Sequence, residues 1–232
     1  MKKNLILIDF LLLITKENKI NESIKNKIEN DPNNDYILIS EESISILKPF
    51  LEKIRVKGVY TDSGCIYYRL KDNRYILDYY VEKVEDVSSI LYNEIYEYFL
   101  RLPYTLRKGS IIKGDYYYYF SFIGTEYPQN YALYHLFPIE LYQEELKLKI
   151  ELLCVEHGLE YEFIKISTIG FYLIPKQYKK NQILSKLPYQ DYSKILFLGD
   201  SNLHHKELIE DHRIQTVEIK NGKELKYFLE TY

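Results

Sequence analysis

The sequence is poor in cysteine and has no tryptophan. Its 232 residues include two cysteines, Cys65 and Cys154, which lie far apart and form no Cys-x-x-Cys pair. A disulfide framework is therefore not expected, and both residues are predicted to be buried or free thiols in a reducing compartment.

The chain also lacks a large net charge and a long hydrophobic segment. Its formal net charge is -3, so neither nucleic acid nor an anionic membrane is an expected partner. The apolar run at residues 5–14 is interrupted by Asp9, is too short to span a bilayer, and is followed by polar residues 15–19 instead of a small-residue cleavage site. We therefore interpret the run as a buried parallel strand of a cytoplasmic protein.

Tyrosine, in contrast, is abundant, with 26 residues. An AT-rich genome accounts for such an excess without any functional cause. Tyrosines also suit protein interfaces, where they are enriched among the residues that dominate binding. Most of them, including those at 116–119, are instead expected to alternate between the two faces of a strand.

Hydrophobic periodicity predicts an α/β protein that contains an α+β insertion. We assign residues 1–84 and 181–232 to a Rossmann-like core and residues 85–180 to the inserted cap. In the core, the pattern predicts strands at 5–14, 36–40, 59–60 and 194–200, helices at 20–29 and 43–54, and a final strand and helix at 216–219 and 223–229. In the cap, it predicts helices at 87–102 and 144–157 and strands at 110–113, 116–122, 161–166 and 170–174.

Several short segments, in this order, resemble the motifs of one family. Ile8-Asp9 with Thr15 is similar to its Asp-x-Asp-Gly-Thr loop, and residues 59–64 are similar to its Phe-x-Glu-Asn-Gly segment. Residues 121–124 resemble its Ser-Pro-Ile-Gly segment, and residues 197–200 resemble its Gly-Asp metal loop. The chain thus resembles the eukaryotic-type phosphomannomutases of the haloacid dehalogenase-like (HAD) superfamily over essentially its whole length.

The resemblance implies a HAD-type core with a cap that encloses the substrate. Members of the family interconvert mannose 6-phosphate and mannose 1-phosphate through an aspartyl-phosphate, with Mg²⁺ and a sugar bisphosphate intermediate. They are usually dimers joined through the cap. Sugar phosphate, Mg²⁺ and a second copy are therefore the ligands and partner that the resemblance implies if the site is functional.

Four core residues are candidates for this chemistry. Asp9 could be the nucleophile, although it could instead cap the next segment or pair with Lys180. Asp200 could hold Mg²⁺ together with Asp9, or could cap the turn after its strand. Lys180 could neutralise phosphate or be an exposed lysine, and Ser40 could bind phosphate or be a turn serine.

Other positions argue against catalysis. The general acid/base of the family aligns with Leu11, and the glycine and threonine of its loop align with Leu12 and Leu13. Loss of a general acid/base typically costs ~10²–10⁴ in rate. In the cap, substrate arginines align near Lys113 and at Thr125, which we carry over as substrate-binding positions although threonine cannot replace a bidentate Arg–phosphate contact.

Two interpretations remain open. We favour a catalytically impaired or inactive relative that is retained as a binding or structural module, with a protein partner or a homodimer through the cap. The alternative is an active phosphomannomutase, or a related sugar-phosphate phosphotransferase, that uses Asp9 as its nucleophile.

Overall fold

The structure is a computed structural model. It describes residues 2–81, 89–102, 111–113, 118–121, 139–165, 170–176, 181–199 and 206–232. The chain divides into two compact units. The first unit is Met1–Glu82 with Tyr178–Tyr232, and the second unit is Lys83–Gln177.

The described elements alternate between strands and helices at both ends of the chain. In chain order they are β1 (Asn4–Asp9), α1 (Glu22–Glu29), β2 (Asn34–Ile39), α2 (Ile44–Leu51), β3 (Gly58–Thr61), β4 (Ile66–Lys71), β5 (Arg74–Tyr80), α3 (Ser89–Arg101), β6 (Ile111–Lys113), β7 (Tyr118–Ser121), α4 (Ile139–His157), β8 (Tyr161–Lys165), β9 (Gly170–Pro175), α5 (Asn181–Lys186), β10 (Lys194–Gly199), α6 (Lys206–Glu210), β11 (Gln215–Glu218) and α7 (Gly222–Thr231).

The first unit is built on a seven-stranded sheet in the order β11-β10-β1-β2-β3-β4-β5. The five strands from β11 to β3 are parallel, and β4 and β5 continue the sheet as an antiparallel hairpin. The predicted α/β fold class with a parallel-rich sheet is confirmed.

Strand β1 lies at the centre of the parallel part and is buried on both faces. Because successive side chains of a strand point to opposite sides, Ile6 and Ile8 enter one hydrophobic cluster, and Leu5 and Leu7 enter the other. All four side chains are fully buried. The apolar residues of β1 therefore reflect two hydrophobic layers, one on each face of the sheet. The predicted strand at 5–14 is too long, because the strand ends at Asp9 and Phe10–Leu13 form a 3₁₀ turn.

Neither strand of the β4–β5 hairpin is among the strands that the hydrophobic pattern predicts. Residues 74–80 received no strand assignment because their apolar residues do not follow a clean alternation. The turn between the strands consists of Asp72 and Asn73, both with positive φ (49° and 61°). Asp and Asn tolerate this left-handed conformation, which a two-residue hairpin turn of this kind requires.

The second unit combines an antiparallel sheet with two helices. Its strands follow the order β6-β7-β9-β8. Side chains of α3, α4 and β9 share one hydrophobic cluster. The helices are also linked by polar contacts, since Lys149 Nζ lies 2.6 Å from a Glu94 carboxylate oxygen and the Tyr98 hydroxyl donates to the Tyr142 carbonyl oxygen. Helix α4 begins at Ile139, five residues before the predicted start at residue 144.

The expectations about the two cysteines and about membrane-spanning segments can be compared with the described residues. Cys65 is buried, Cys154 is half-buried, and neither forms a disulfide. Within the described part of the chain, no helix combines the length and hydrophobicity needed to cross a bilayer.

Close packing against Gly58 at the start of β3 should make this position intolerant of any side chain. A Cβ atom there would overlap the Tyr67 ring, which packs at a tilt of 33° against Tyr60 with 4.5 Å between ring centroids. We expect Gly58→Ala to lower the free energy of unfolding by about 1–3 kcal/mol in chemical denaturation. The cost should shrink in a Tyr67→Ala background, and an equal cost in both backgrounds would exclude this contact as its cause.

Candidate active site

The carboxyl ends of β1, β2 and β3 lie side by side at one edge of the sheet. Asp9 ends β1 opposite Ile39 of β2, and Ile39 lies opposite Tyr60 of β3. Ser40 follows β2 directly, and Asp62 follows β3. In open α/β sheets this edge is where ligands bind, and the topology therefore places Asp9, Ser40 and Asp62 in one neighbourhood.

The Asp9 carboxylate is engaged by the turn that follows it. Residues Phe10–Leu13 form a 3₁₀ turn, and Asp9 occupies its N-cap position with extended backbone angles (φ -60°, ψ 121°). Its Oδ1 accepts a hydrogen bond from the Leu11 backbone N–H at 2.9 Å. The capping role that the sequence left open beside the nucleophile role is thus present in the structure.

The turn after Asp9 is packed into the hydrophobic core instead of forming an open loop. Phe10, Leu12 and Leu13 are buried, and the Phe10 ring meets Phe50 edge-on with 5.4 Å between centroids. The start of α7 packs closely over the turn, since a Cβ on Gly222 would lie 3.0 Å from the Leu12 carbonyl oxygen. The backbone of this turn is therefore held by packing on two sides.

Leu11 is the exception in the turn, because 70% of its surface is exposed. It occupies the position that aligns with the proton-transferring aspartate in the family resemblance. An aliphatic side chain can neither donate nor accept a proton, so general acid/base catalysis cannot come from this position.

Ser40 is buried and used locally. Its Oγ accepts a hydrogen bond from the Glu42 N–H at 3.1 Å, and its own N–H donates to the Tyr60 carbonyl oxygen. The hydroxyl therefore stabilises the turn after β2, as a turn serine does.

The same turn brings negative charge to the strand ends. Burial, and then repulsion from the neighbouring Glu41 carboxylate, raise the pKa of the half-buried Glu42 carboxyl. A raised pKa means that the surroundings already disfavour a negative charge here.

Asp62 is a buried acid at this edge that sequence reasoning did not select as a site residue. Only 1% of its surface is exposed, and its Oδ2 accepts a hydrogen bond from the Thr61 hydroxyl at 2.8 Å. Its backbone is left-handed (φ 50°), and its N–H donates to the Glu42 carbonyl oxygen at 3.0 Å. The signal in the sequence was an acidic residue directly after a short buried strand, in the turn Thr-Asp-Ser-Gly.

The other predicted site residues cannot be placed. Asp200, Lys180 and Thr125 lie outside the described residues. Lys113 ends β6 in the second unit, and its side chain is likewise not described. The structure therefore brings together Asp9 and Ser40 of the predicted set.

No metal centre is formed by the described residues alone, since they contain no group of three His, Cys, Asp or Glu side chains that converge. Asp211, another acid of the first unit, is held by Arg213 at 2.9 Å (Nε to Oδ1) and 2.5 Å (Nη2 to Oδ2). This pairing lowers the pKa of Asp211 to about 2. The predicted Mg²⁺ site at Asp9 and Asp200 stays a prediction.

No family model and no curated protein matches the sequence of this chain. Solved structures match its fold at 14% identity. The C-terminal domain of Candida albicans trehalose-6-phosphate phosphatase aligns with 98% of this chain and 91% of its own, at a TM-score of 0.64. The C-terminal domain of the Candida albicans trehalose synthase regulatory protein aligns over 99% and 92%, at 0.63. N-terminally truncated Plasmodium falciparum IMP-nucleotidase aligns over 99% and 70%, at 0.59.

The chain has a HAD-type fold. The fold expected from the sequence is confirmed, and 14% identity supports no statement beyond the fold. The narrower resemblance to phosphomannomutases stays a prediction.

Substitutions of Asp9 should show whether its carboxylate stabilises the fold. If the cap bond to Leu11 is its main structural role, Asp9→Ala should lower the free energy of unfolding by about 0.5–2 kcal/mol, because an N-cap acceptor is lost. Asp9→Asn keeps an acceptor oxygen and should cost less in the same denaturation experiment. If Asp9→Ala were instead more stable than the wild type, the capping role would be contradicted. A gain in stability when a residue is replaced is typical of a catalytic group that destabilises the fold.

The raised pKa of Glu42 predicts a pH-dependent effect on stability. The ionised carboxylate is penalised in the folded protein, so Glu42→Gln should raise the melting temperature at neutral pH. The gain should vanish as the pH falls below the ordinary glutamate value of 4.5, where Glu42 is protonated in both folded and unfolded states. Glu52→Gln, at an exposed position, is the control, and an equal gain for both variants would exclude burial as the cause.

Proposed function

We propose that this chain is a HAD-fold protein that does not carry out phosphoryl transfer at an enzymatic rate and serves as a binding or structural module. The observation that carries the proposal is the conformation and burial of the turn after Asp9. The Asp9 carboxylate caps the turn by accepting a hydrogen bond from the Leu11 N–H, and three of the four side chains of the turn are buried in the core.

Phosphoryl transfer through a covalent intermediate places three demands on this edge of the sheet. It needs a carboxylate that can attack phosphorus, donors that stabilise the charge of the transferred group, and a proton shuttle. Here the Leu11 N–H, a donor of the turn, is already directed at Asp9 Oδ1. The shuttle position holds the aliphatic Leu11 side chain.

Electrostatics adds to the same argument. Glu41 and Glu42 follow the end of β2, and the pKa of Glu42 is raised by burial and by Glu41. Stabilisation of developing charge is usually the largest single contribution to catalysis, and carboxylates near the phosphate position act in the opposite sense.

The ancestral chemistry that we infer is that of a phosphate monoester of a small molecule. The motif order resembles the phosphomannomutases, which implies a mannose phosphate. The neighbours in fold carry the names of a trehalose-6-phosphate phosphatase, an IMP-nucleotidase and a trehalose synthase regulatory protein. The last of these names lends support to a regulatory use of the fold.

Mg²⁺ would be needed if any activity remained. Mg²⁺ takes one or two carboxylates and keeps several waters, so Asp9 could contribute one ligand and Asp200 a second. Within the described residues only Asp9 is available for this role, and its Oδ1 already accepts a hydrogen bond. The described part of the site thus fits the metal only in part.

An active phosphotransferase is the second candidate function. The specific observation in its favour is the position of Asp9, which ends the central strand β1 and is half-buried, not sealed in the core. In this case Asp9 would be the nucleophile, and phosphomannomutase or a related phosphotransfer activity would be retained.

A direct assay separates the two candidates. The protein is incubated with Mg²⁺, glucose 1,6-bisphosphate and mannose 1-phosphate, and mannose 6-phosphate is measured; trehalose 6-phosphate and IMP are tested in parallel for phosphate release. We expect no turnover above the Asp9→Asn control. Turnover of 1 s⁻¹ or more, in the ordinary range of enzymes (about 1–10³ s⁻¹), that is abolished by Asp9→Asn would overturn the proposal.

Restoring the proton shuttle alone should not restore activity. Leu11→Asp places a carboxylate at the exposed position, where it should fold without difficulty. Thr125 still stands where the resemblance implies a substrate arginine, so we expect the variant to stay inactive in the same assay. Recovery of turnover by this single substitution would mean that the remainder of the site is intact.

A further inference from the structure

Helix α4 of the second unit is apolar on two opposite faces. One face carries Ile139, Gln143, Leu146 and Ile150, which are buried against the unit's own core. A helix that needs one face for its core normally carries polar residues on the other. In α4 the outer face carries a second row of aliphatic residues, and the fold of the unit does not explain it.

The outer row lies along one side of the helix, with Leu141 two turns before Leu148 and the last three members one turn apart. Its members and their exposed fractions are Leu141 (69%), Leu148 (60%), Leu152 (64%) and Val155 (83%). At about 100° per residue they fall within about 60° of arc on the helix, and they extend over about 21 Å of its length. Single exposed apolar residues are ordinary, but an aligned row of this length marks an interaction surface. We name these four residues the outer stripe.

Acidic residues border the outer stripe on both sides. On the helical surface, Glu140, Glu144 and Glu151 lie along one side, and Glu145 and Glu156 lie along the other. All five are exposed.

Of the two lysines of this helix, Lys147 pairs with one glutamate of the rim and Lys149 pairs with α3, so the rim keeps a net negative charge. Lys149 lies 2.6 Å from a Glu94 carboxylate oxygen of α3, and Lys147 lies 4.0 Å from Glu144. Lys149 is therefore directed at the neighbouring helix, away from the stripe. The surface as a whole is an apolar row within a negative rim.

We propose that the outer stripe is the docking surface for an amphipathic helix of a partner protein that carries Lys or Arg on both sides of an apolar row. Apolar residues at helical spacing would pack on Leu148 and Leu152, and the basic residues would meet the glutamates of the rim. The surface belongs to the second unit, so this inference does not depend on whether Asp9 is catalytic.

The same charges disfavour other occupants. If two copies of α4 packed antiparallel about Leu148, Glu144 of one copy would lie beside Glu151 of the other, on the same side of the stripe. Like charges that face each other across a helix pair oppose association. An anionic lipid surface would be repelled by the rim in the same way, because interfacial helices carry Lys and Arg beside their apolar face.

A pair of synthetic peptides tests the proposal on the full chain. The first is a helical peptide of about four turns with leucines on one face and lysines on both flanks. The second has glutamate in place of every lysine. Binding is followed by fluorescence anisotropy at moderate salt. We expect the basic peptide to bind saturably with 1:1 stoichiometry and the acidic peptide to bind at least about tenfold more weakly.

Variants locate the binding on α4. Leu148→Gln with Leu152→Gln should weaken binding of the basic peptide about tenfold or more, because two apolar contacts are lost. Both residues are largely exposed, so folding should be little affected, and circular dichroism checks this. The matched control is Leu77→Gln with Tyr227→Gln, which changes two exposed apolar residues of the first unit and should leave binding unchanged. Glu144→Lys with Glu151→Lys should shift the preference towards the acidic peptide.

Three results would overturn the proposal. The first is no binding of the basic peptide at about 100 μM, and the second is equal binding of both peptides. The third is a wild-type dimer in light scattering that Leu148→Gln with Leu152→Gln dissociates, which would assign the outer stripe to a second copy of this chain.

Discussion

Complete burial of β1 between two hydrophobic layers is the constraint on which the first unit depends. Residues Leu5 to Ile8 send alternate side chains into opposite clusters, and the strand pairs with β10 on one side and β2 on the other. A strand in this position cannot shift its register by one residue without exchanging the side chains of both layers. It therefore fixes where its last residue, Asp9, emerges at the edge of the sheet.

The character of that edge follows from what comes directly after Asp9. In a phosphotransferase the backbone there must stay open to a phosphate. In this chain Phe10, Leu12 and Leu13 extend the hydrophobic layer of β1 and Asp9 caps the turn, so the local sequence serves packing. Three carboxyl groups, those of Glu41, Glu42 and the buried Asp62, follow the ends of the neighbouring strands β2 and β3. Packing into the core requires apolar side chains in this turn, whereas phosphate binding requires an open polar loop. The residues found here favour packing.

In the second unit, one helix carries more apolar side chains than its own core buries. Helix α4 satisfies its own core with one face and still carries leucines on the other. Such a row has a cost, because exposed apolar surface favours non-specific association unless a partner covers it. In our proposal, the glutamates on both sides would oppose self-association through like-charge repulsion. The HAD-type scaffold thus offers two surfaces of different character, a strand-end site on the first unit and a helical stripe on the second.

The sequence by itself determined the α/β class and the buried first strand, because hydrophobic periodicity reports directly on which faces are buried. It extended that strand to residue 14, whereas the structure ends it at Asp9. It also identified Leu11 as a residue without proton-transfer chemistry. Only the tertiary structure decided that Asp9 caps the following turn and that Ser40 serves its own turn. The burial of Asp62, the β5 strand and the exposure of the α4 stripe also emerged only there. The bonds of Asp9 and Ser40 join residues only two apart, but a local sequence that permits such a bond also permits the side chain to face a ligand. The burial of Asp62 and the exposure of the α4 stripe depend on which distant segments pack together, and local spacing along the chain carries no record of that packing.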